Sequence, residues 1–159
     1  NMLAGFNGLE AGMGFVYMLM LGFYAYVFGN PLASVIALIL AGCLLGFYFF
    51  NKYPAKILPG DSLTYMLGGS LAVVAILGNI ERAALLVSVP FFIEFFLKLR
   101  SNFKSQSYGY YKDGKIISFY KKIYSIPHIF TRTGKYTERQ ITFFVIIIMV
   151  IFSSLIWFI

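Results

Sequence analysis

The sequence predicts an all-α polytopic membrane protein of about five transmembrane helices, with a small cytoplasmic β-hairpin in its last loop. Three observations predict it. Sixty per cent of the 159 residues are apolar and only 12% charged, with eighteen Phe and twelve Tyr, a composition unlike that of water-soluble globules. The apolar residues fall into runs of roughly 15–20, about what a helix needs to cross a hydrocarbon core ~30 Å thick. The cations gather in polar segments that an odd number of spans places on one side of the bilayer. The chain reads as a single transmembrane domain over 1–159.

The elements follow in order. Residues 1–12, NMLAGFNGLEAG, are too polar and glycine-rich for mid-membrane and read as a helix end and turn at the surface. Residues 13–29 are continuously apolar and aromatic and form the first span. Gly29-Asn30-Pro31 is a turn signal, with Pro31 suited to the first position of the next helix, and 32–50 is the second span. The polar break Asn51 to Ser62 follows, and a helix beginning at Leu63-Thr64-Tyr65 carries the third span, 63–77. Its small residues Gly68, Gly69, Ser70 and Ala72 suit close helix approach. A short polar connection, 78–82, leads to the fourth span, 83–99, in which Glu94 stands one turn before Lys98. Glu94 reads either as a structural acid neutralised by Lys98 and snorkelling to the headgroups, or as a residue with a direct role. Within the long segment 100–139, Tyr108 to Tyr120 (YGYYKDGKIISFY) predicts a hairpin turning at Asp113-Gly114. Thr137-Glu138-Arg139-Gln140 has the form of a capping box and opens the fifth span, 140–159.

Charge gives the orientation. The net charge is +7, and of the thirteen Lys and Arg, Lys52 and Lys56 lie in the loop 51–62 while ten lie between Lys98 and Arg139. Only Arg82 falls on the opposite face, so loops 51–62 and 100–139 are expected in the cytoplasm. The basic segment suits anionic partners, lipid headgroups or a nucleotide diphosphate, beyond its part in topology. Nucleic acid is disfavoured, because no nucleic-acid motif accompanies the charge. A transporter with midplane sites is disfavoured too, since four of the five spans lack an ionisable group. The single Cys43 lies in an apolar run without a partner, which leaves no disulfide or thiolate metal site and points to an inert packing residue. No signal-peptide pattern is expected.

Pro59-Gly60-Asp61-Ser62 holds the only acid of its polar break. A carboxylate beside a glycine at a membrane boundary, with Lys52 and Lys56 nearby, is suited to holding a divalent cation against phosphates. The alternative is a helix N-cap with a favourable dipole interaction.

Taken together, NMLAGFNGLEAG and NKYPAKILPGDSLTYMLGG resemble the polyprenyl-phosphate N-acetylhexosamine-1-phosphate transferases, and most of all the eukaryotic and archaeal branch that uses UDP-GlcNAc and dolichyl phosphate. The bacterial phospho-MurNAc-pentapeptide transferases share the pattern more loosely, with Asp-Gly-Leu-Asp where this chain has Asn7-Gly8-Leu9-Glu10. The resemblance implies transfer of GlcNAc-1-phosphate to a polyprenyl (dolichyl) phosphate with release of UMP, the first step of lipid-linked glycan synthesis. It implies Mg2+, with Mn2+ as the alternative, held by Asn1 and Asp61, of which Asp61 is also the catalytic candidate. Asn7 would meet the uracil, Gly5 and Leu58 would flank the base, and Glu10 would either hold the Asn-Gly-Leu-Glu turn in shape or cap the first span. Lys56, Arg100 and Lys104, with Ser105 beside them, are the expected contacts to the sugar nucleotide. His128, in Ile126-Pro127-His128, resembles the histidine cluster of the bacterial branch and reads either as a substrate contact or as a surface histidine beside the bilayer.

The family's first half, with its adjacent pair of aspartates, does not appear. The chain is therefore expected to be the C-terminal half of a larger enzyme, inactive alone. Expected partners are UDP-GlcNAc, the polyprenyl or dolichyl phosphate, membrane lipid, the N-terminal half and, as an option, a second copy in a homodimer. The expected location is an integral multi-pass protein with its active face cytoplasmic, in the plasma membrane of a prokaryote or the endoplasmic reticulum of a eukaryote. The competing reading is an inactive remnant or scaffold subunit that binds anionic lipid.

Overall fold

In the computed structural model, which describes residues 2–159, the chain is an all-α membrane protein with one small β-hairpin. The helices are α1 (Leu9–Val27), α2 (Pro31–Asn51), α3 (Gly60–Gly78), α4 (Glu81–Val87), α5 (Val89–Leu99), α6 (His128–Thr131) and α7 (Glu138–Ser154), the last extended by a 3-10 turn (Leu155–Phe158). Strands β1 (Gly109–Lys112) and β2 (Lys115–Ser118) pair antiparallel between α5 and α6. Among the described residues four helices are long and apolar enough to cross a membrane: α1, α2, α3 and α7 with its extension.

The expected fourth span is not one helix. The stretch 83–99 lies in two helices that meet at Ser88, and the sequence gives the cause. Pro90 has no N–H to donate and its ring crowds the carbonyl of Leu86, so the ladder cannot run through. Ser88 fills the gap by turning its Oγ back to Ala84 O at 2.7 Å, a contact that itself favours bending. Glycines Gly8 and Gly29, at φ +81° and +77°, bound α1 and make the entry and the turn that L-residues would resist.

Helix α1 is the element the others surround, buried around most of its girth and packed on α2, α3 and α7. Its glycines are the points of closest approach: Gly12 faces Ile146 of α7, Gly14 faces Leu67 of α3, and Gly22 faces Leu38 of α2. In α3 only Gly78, where an added Cβ would lie 3.0 Å from Ala33 Cβ of α2, serves this purpose among the glycines, and it is not one of the small residues expected to. Gly68 and Gly69 have no other chain atom within 4 Å of where a Cβ would sit, and both are exposed. Cys43 likewise is exposed on α2 rather than packed.

Both locally encoded motifs form as expected. The hairpin turns on Asp113 and Gly114 at φ +50° and +80°, the paired positive angles of a type I′ turn. Thr137 and Gln140 close a full capping box on α7. At one end of the molecule the N-terminal turn, the start of the α2–α3 loop and the basic segment come together. Asn7 N donates to Glu138 Oε1 at 2.8 Å, Ser107 Oγ to Met2 O at 3.1 Å, and Gly8 sits against Lys52. At the other end Tyr24 meets Trp157, ring centroids 5.7 Å apart.

Candidate functional site

The N-terminal motif is a tight turn held from three sides. Gly5 takes φ +110°, and its N–H donates to Glu10 Oε1 at 3.0 Å, so the buried Glu10 closes the loop that precedes α1. That geometry agrees with Glu10 holding the turn in shape. Glu138 fastens the Asn7 amide, and Thr142 Oγ1 lies 3.4 Å from Asn7 O. Tyr108, leading into the hairpin, lies over Gly5, which has no side chain to keep it away. Half-buried Asn7 opens onto a polar cleft of about 490 Å3, lined also by Tyr48, Lys52, Tyr53 and Arg139. The two cations lie over aromatic rings, Lys52 on Phe49 at 5.0 Å and Arg139 on Tyr53 at 5.2 Å, and neither is paired with an acid among the described residues.

Asp61 stands in the first turn of α3, one residue inside Gly60, with its carboxylate exposed and without a hydrogen-bond or ion-pair partner among the described residues. The N-cap position belongs to Pro59, so the capping reading of Asp61 does not hold; the helix begins three residues earlier than Leu63 and takes Asp61 into itself. What remains of that reading is a carboxylate near the positive end of the helix dipole. Lys56 is exposed in the loop before it, and Leu58 is 74% exposed. Asn1, the other expected metal ligand, lies outside the described residues.

Among the described residues no group of three or more His, Cys, Asp or Glu gathers as a metal cluster. A single free carboxylate still suits Mg2+, which keeps water and takes substrate phosphates as most of its ligands, using one or two protein carboxylates.

The basic segment departs most from expectation. Arg100 and Lys104 are exposed, but Ser105 is buried, and its carbonyl accepts from Lys98 Nζ at 2.6 Å. His128 is not a surface residue: it is fully buried, Nδ1 accepts from Tyr124 N at 3.2 Å and Nε2 faces Gln106 O at 2.8 Å. Both ring nitrogens are engaged within the chain, which leaves none for a substrate. Burial pushes its pKa below the ordinary histidine value, with Lys98 and Arg132 adding repulsion and the bond to Gln106 opposing the shift. Glu94 does not snorkel. It has no exposed surface and accepts from Ser125 Oγ at 2.6 Å and Ile126 N at 2.8 Å, with Lys98 Nζ only at 4.0 Å. Ser107 and Ser125 give no signal in the sequence, since single serines carry no period, and Glu138 reads there only as part of a cap.

Beneath this surface lies an apolar cavity of about 290 Å3 between α1, α3 and α5, walled by Tyr17, Leu67, Leu71 and Phe91, with Glu10 and Glu94 also in its lining.

Residues 1–79 match the family model described as glycosyl transferase family 4. A protein of Sulfolobus acidocaldarius, provisionally named a UDP-N-acetylglucosamine–dolichyl-phosphate N-acetylglucosaminephosphotransferase, is 37% identical over 157 residues, 98% of this chain and 48% of its own length. A protein of Saccharolobus solfataricus with the same provisional name is 37% identical over 89% of this chain and 44% of its own. The phospho-N-acetylmuramoyl-pentapeptide-transferase of Listeria welshimeri is 36% identical over 59% of this chain and 29% of its own. The chain thus spans about half the length of the archaeal relatives it matches. Two motifs on one face of an all-α membrane fold and these likenesses agree: the chain belongs to glycosyl transferase family 4.

Proposed function

We propose that this chain forms the C-terminal part of a Mg2+-dependent enzyme that transfers GlcNAc-1-phosphate from UDP-GlcNAc to a polyprenyl, most simply dolichyl, phosphate. The observation that carries the reading is the likeness, over almost the whole chain, to archaeal proteins named for that transfer. An oxygen of the lipid phosphate attacks the phosphorus bearing the sugar, the bridge to the uridylyl phosphate breaks, and UMP leaves. The chemistry asks for charge screening between two polyanions and little else. Mg2+, when bound, would supply much of that screening, with Asp61 its free carboxylate on this chain and Asn1 the second expected ligand.

The exposed Arg100, Lys104 and Lys56 attract the pyrophosphate from outside. The turn carrying Gly5 and Asn7, held by Glu10 and Glu138, presents a fixed edge to the base. The cavity between α1, α3 and α5 offers the prenyl chain an apolar wall beneath the site. In this reading the polar end of the molecule faces the cytoplasm, by the asymmetry of its cations.

The test is transfer of labelled GlcNAc-1-phosphate to dolichyl phosphate in membranes that hold this chain together with the remaining length its relatives have. Lipid-linked product with equimolar UMP is expected. Activity only with UDP-MurNAc-pentapeptide would move the assignment to the other donor. A well-folded complex inert toward every uridine sugar donor would leave a scaffold that binds anionic lipid.

A further inference from the structure

The buried acid Glu94 has no place in the transfer chemistry, yet among the described residues it stands at the centre of a densely connected polar cluster. Its two oxygens take Ser125 Oγ at 2.6 Å and Ile126 N at 2.8 Å, residues 31 and 32 positions further along the chain. That contact seats the stretch just before α6 on α5. The basic segment's beginning is seated from the same side. Three consecutive residues are each held by a different element: Ser105 O by Lys98 Nζ of α5 at 2.6 Å, Gln106 O by His128 Nε2 of α6 at 2.8 Å, and Ser107 Oγ donates to Met2 O of the N-terminal motif at 3.1 Å. Glu94 Oε1 lies 3.5 Å from the same Ser107 hydroxyl. The exposed Arg100, the C-cap of α5, and Lys104, next to Ser105, lie in the chain between α5 and this clamp.

A carboxylate with no solvent contact is costly unless its lone pairs are used, and here both oxygens are. Fastening by charge-assisted bonds to a backbone amide and a hydroxyl fixes a loop that has little regular structure of its own.

We infer that Glu94 is a positioning residue: it anchors both ends of the α5–α6 segment to one helix and so holds the loop cations in register with the N-terminal motif. This rests on the transferase reading for its consequence but not for its geometry. Cations placed this way act alike on bound donor and on the transition state, so their misplacement raises KM more than it lowers kcat.

Glu94→Ala, Glu94→Gln and Ser125→Ala in the full protein test it. With Glu94→Ala, hydrogen exchange at the Ile126 amide and over 105–107 is expected to quicken by at least about tenfold. KM for UDP-GlcNAc is expected to rise about tenfold, the scale of one lost charge-assisted bond, with kcat changed much less. Glu94→Gln, which keeps an acceptor for Ile126 N, should recover most of both. Ser125→Ala loses one bond only and serves if the alanine at 94 does not fold; it should move both readouts the same way by less. Unchanged exchange in the folded variants would overturn the anchor. Quickened exchange with unchanged KM would overturn its bearing on the donor. If the parent transfers nothing, the transferase reading fails while exchange still decides the anchor.

Discussion

His128 gives both ring nitrogens to the protein. With Nδ1 accepting from Tyr124 N, the hydrogen-bond pattern puts the proton on Nε2, facing Gln106 O. The folded protein therefore resists a second proton, while the unfolded chain takes one up near the ordinary value of about 6.5. Because the folded pKa lies below the unfolded one, the contribution to stability is complete above about pH 6.5 and is lost as the pH falls toward the folded value. Thermal unfolding in detergent should show a fall in midpoint between pH 7 and pH 5, and His128→Gln should flatten that fall. An identical pH profile in the variant would remove His128 from the account. The sequence could not place this residue, because its partners stand 4 and 22 positions away in a segment with no period to reveal a buried side. Asp61 stands out for a local reason: it is the only acid of its loop, and the structure leaves its side chain exposed.

Elements written in local rules are the ones the sequence displays most clearly. The Asp113-Gly114 turn and the Thr137/Gln140 cap each depend on residues within a few positions, and both form. The break at Ser88 had its signal in Pro90, outweighed by the continuous apolarity around it. Close packing was less legible, because glycine in a helix looks the same whether it faces a neighbour or open space. A Cβ at Gly22 would lie 2.8 Å from Leu38 Cγ and 3.3 Å from Leu38 N, whereas Gly42 and Gly46 meet nothing within 4 Å. Gly22→Ala should destabilise the fold by ~1–3 kcal/mol, since α1 and α2 would have to part. Gly42→Ala should be neutral or stabilising by up to ~1 kcal/mol through helix propensity. Unfolding of the two variants side by side decides the matter, and equal effects would contradict the packing described for α1.

At the scale of the whole molecule, the polar end gathers the N-terminal turn, the start of the α2–α3 loop and the basic segment, and the charge of these segments predicts a cytoplasmic orientation that labelling tests. In a Cys43→Ala background, Lys104→Cys should react with a membrane-impermeant maleimide from the cytoplasmic side only, and Glu81→Cys, at the start of α4, from the other side only. Labelling of both from one side would refute the topology. The helical membrane plan was legible because span length is a property of long stretches; the clamp on the basic segment was not, because it joins Met2 and α5 to residues from 105 to 128 with no local pattern between them. Asp61 is proposed to serve phosphoryl transfer through a divalent cation. The most direct measurement is a Mg2+ titration of GlcNAc-1-phosphate transfer by the complete protein and by its Asp61→Asn variant. Mg2+-dependent product is expected, falling by at least about 100-fold with the substitution, the scale of losing one preorganised charge. Transfer by Asp61→Asn at the parent's rate would contradict that role.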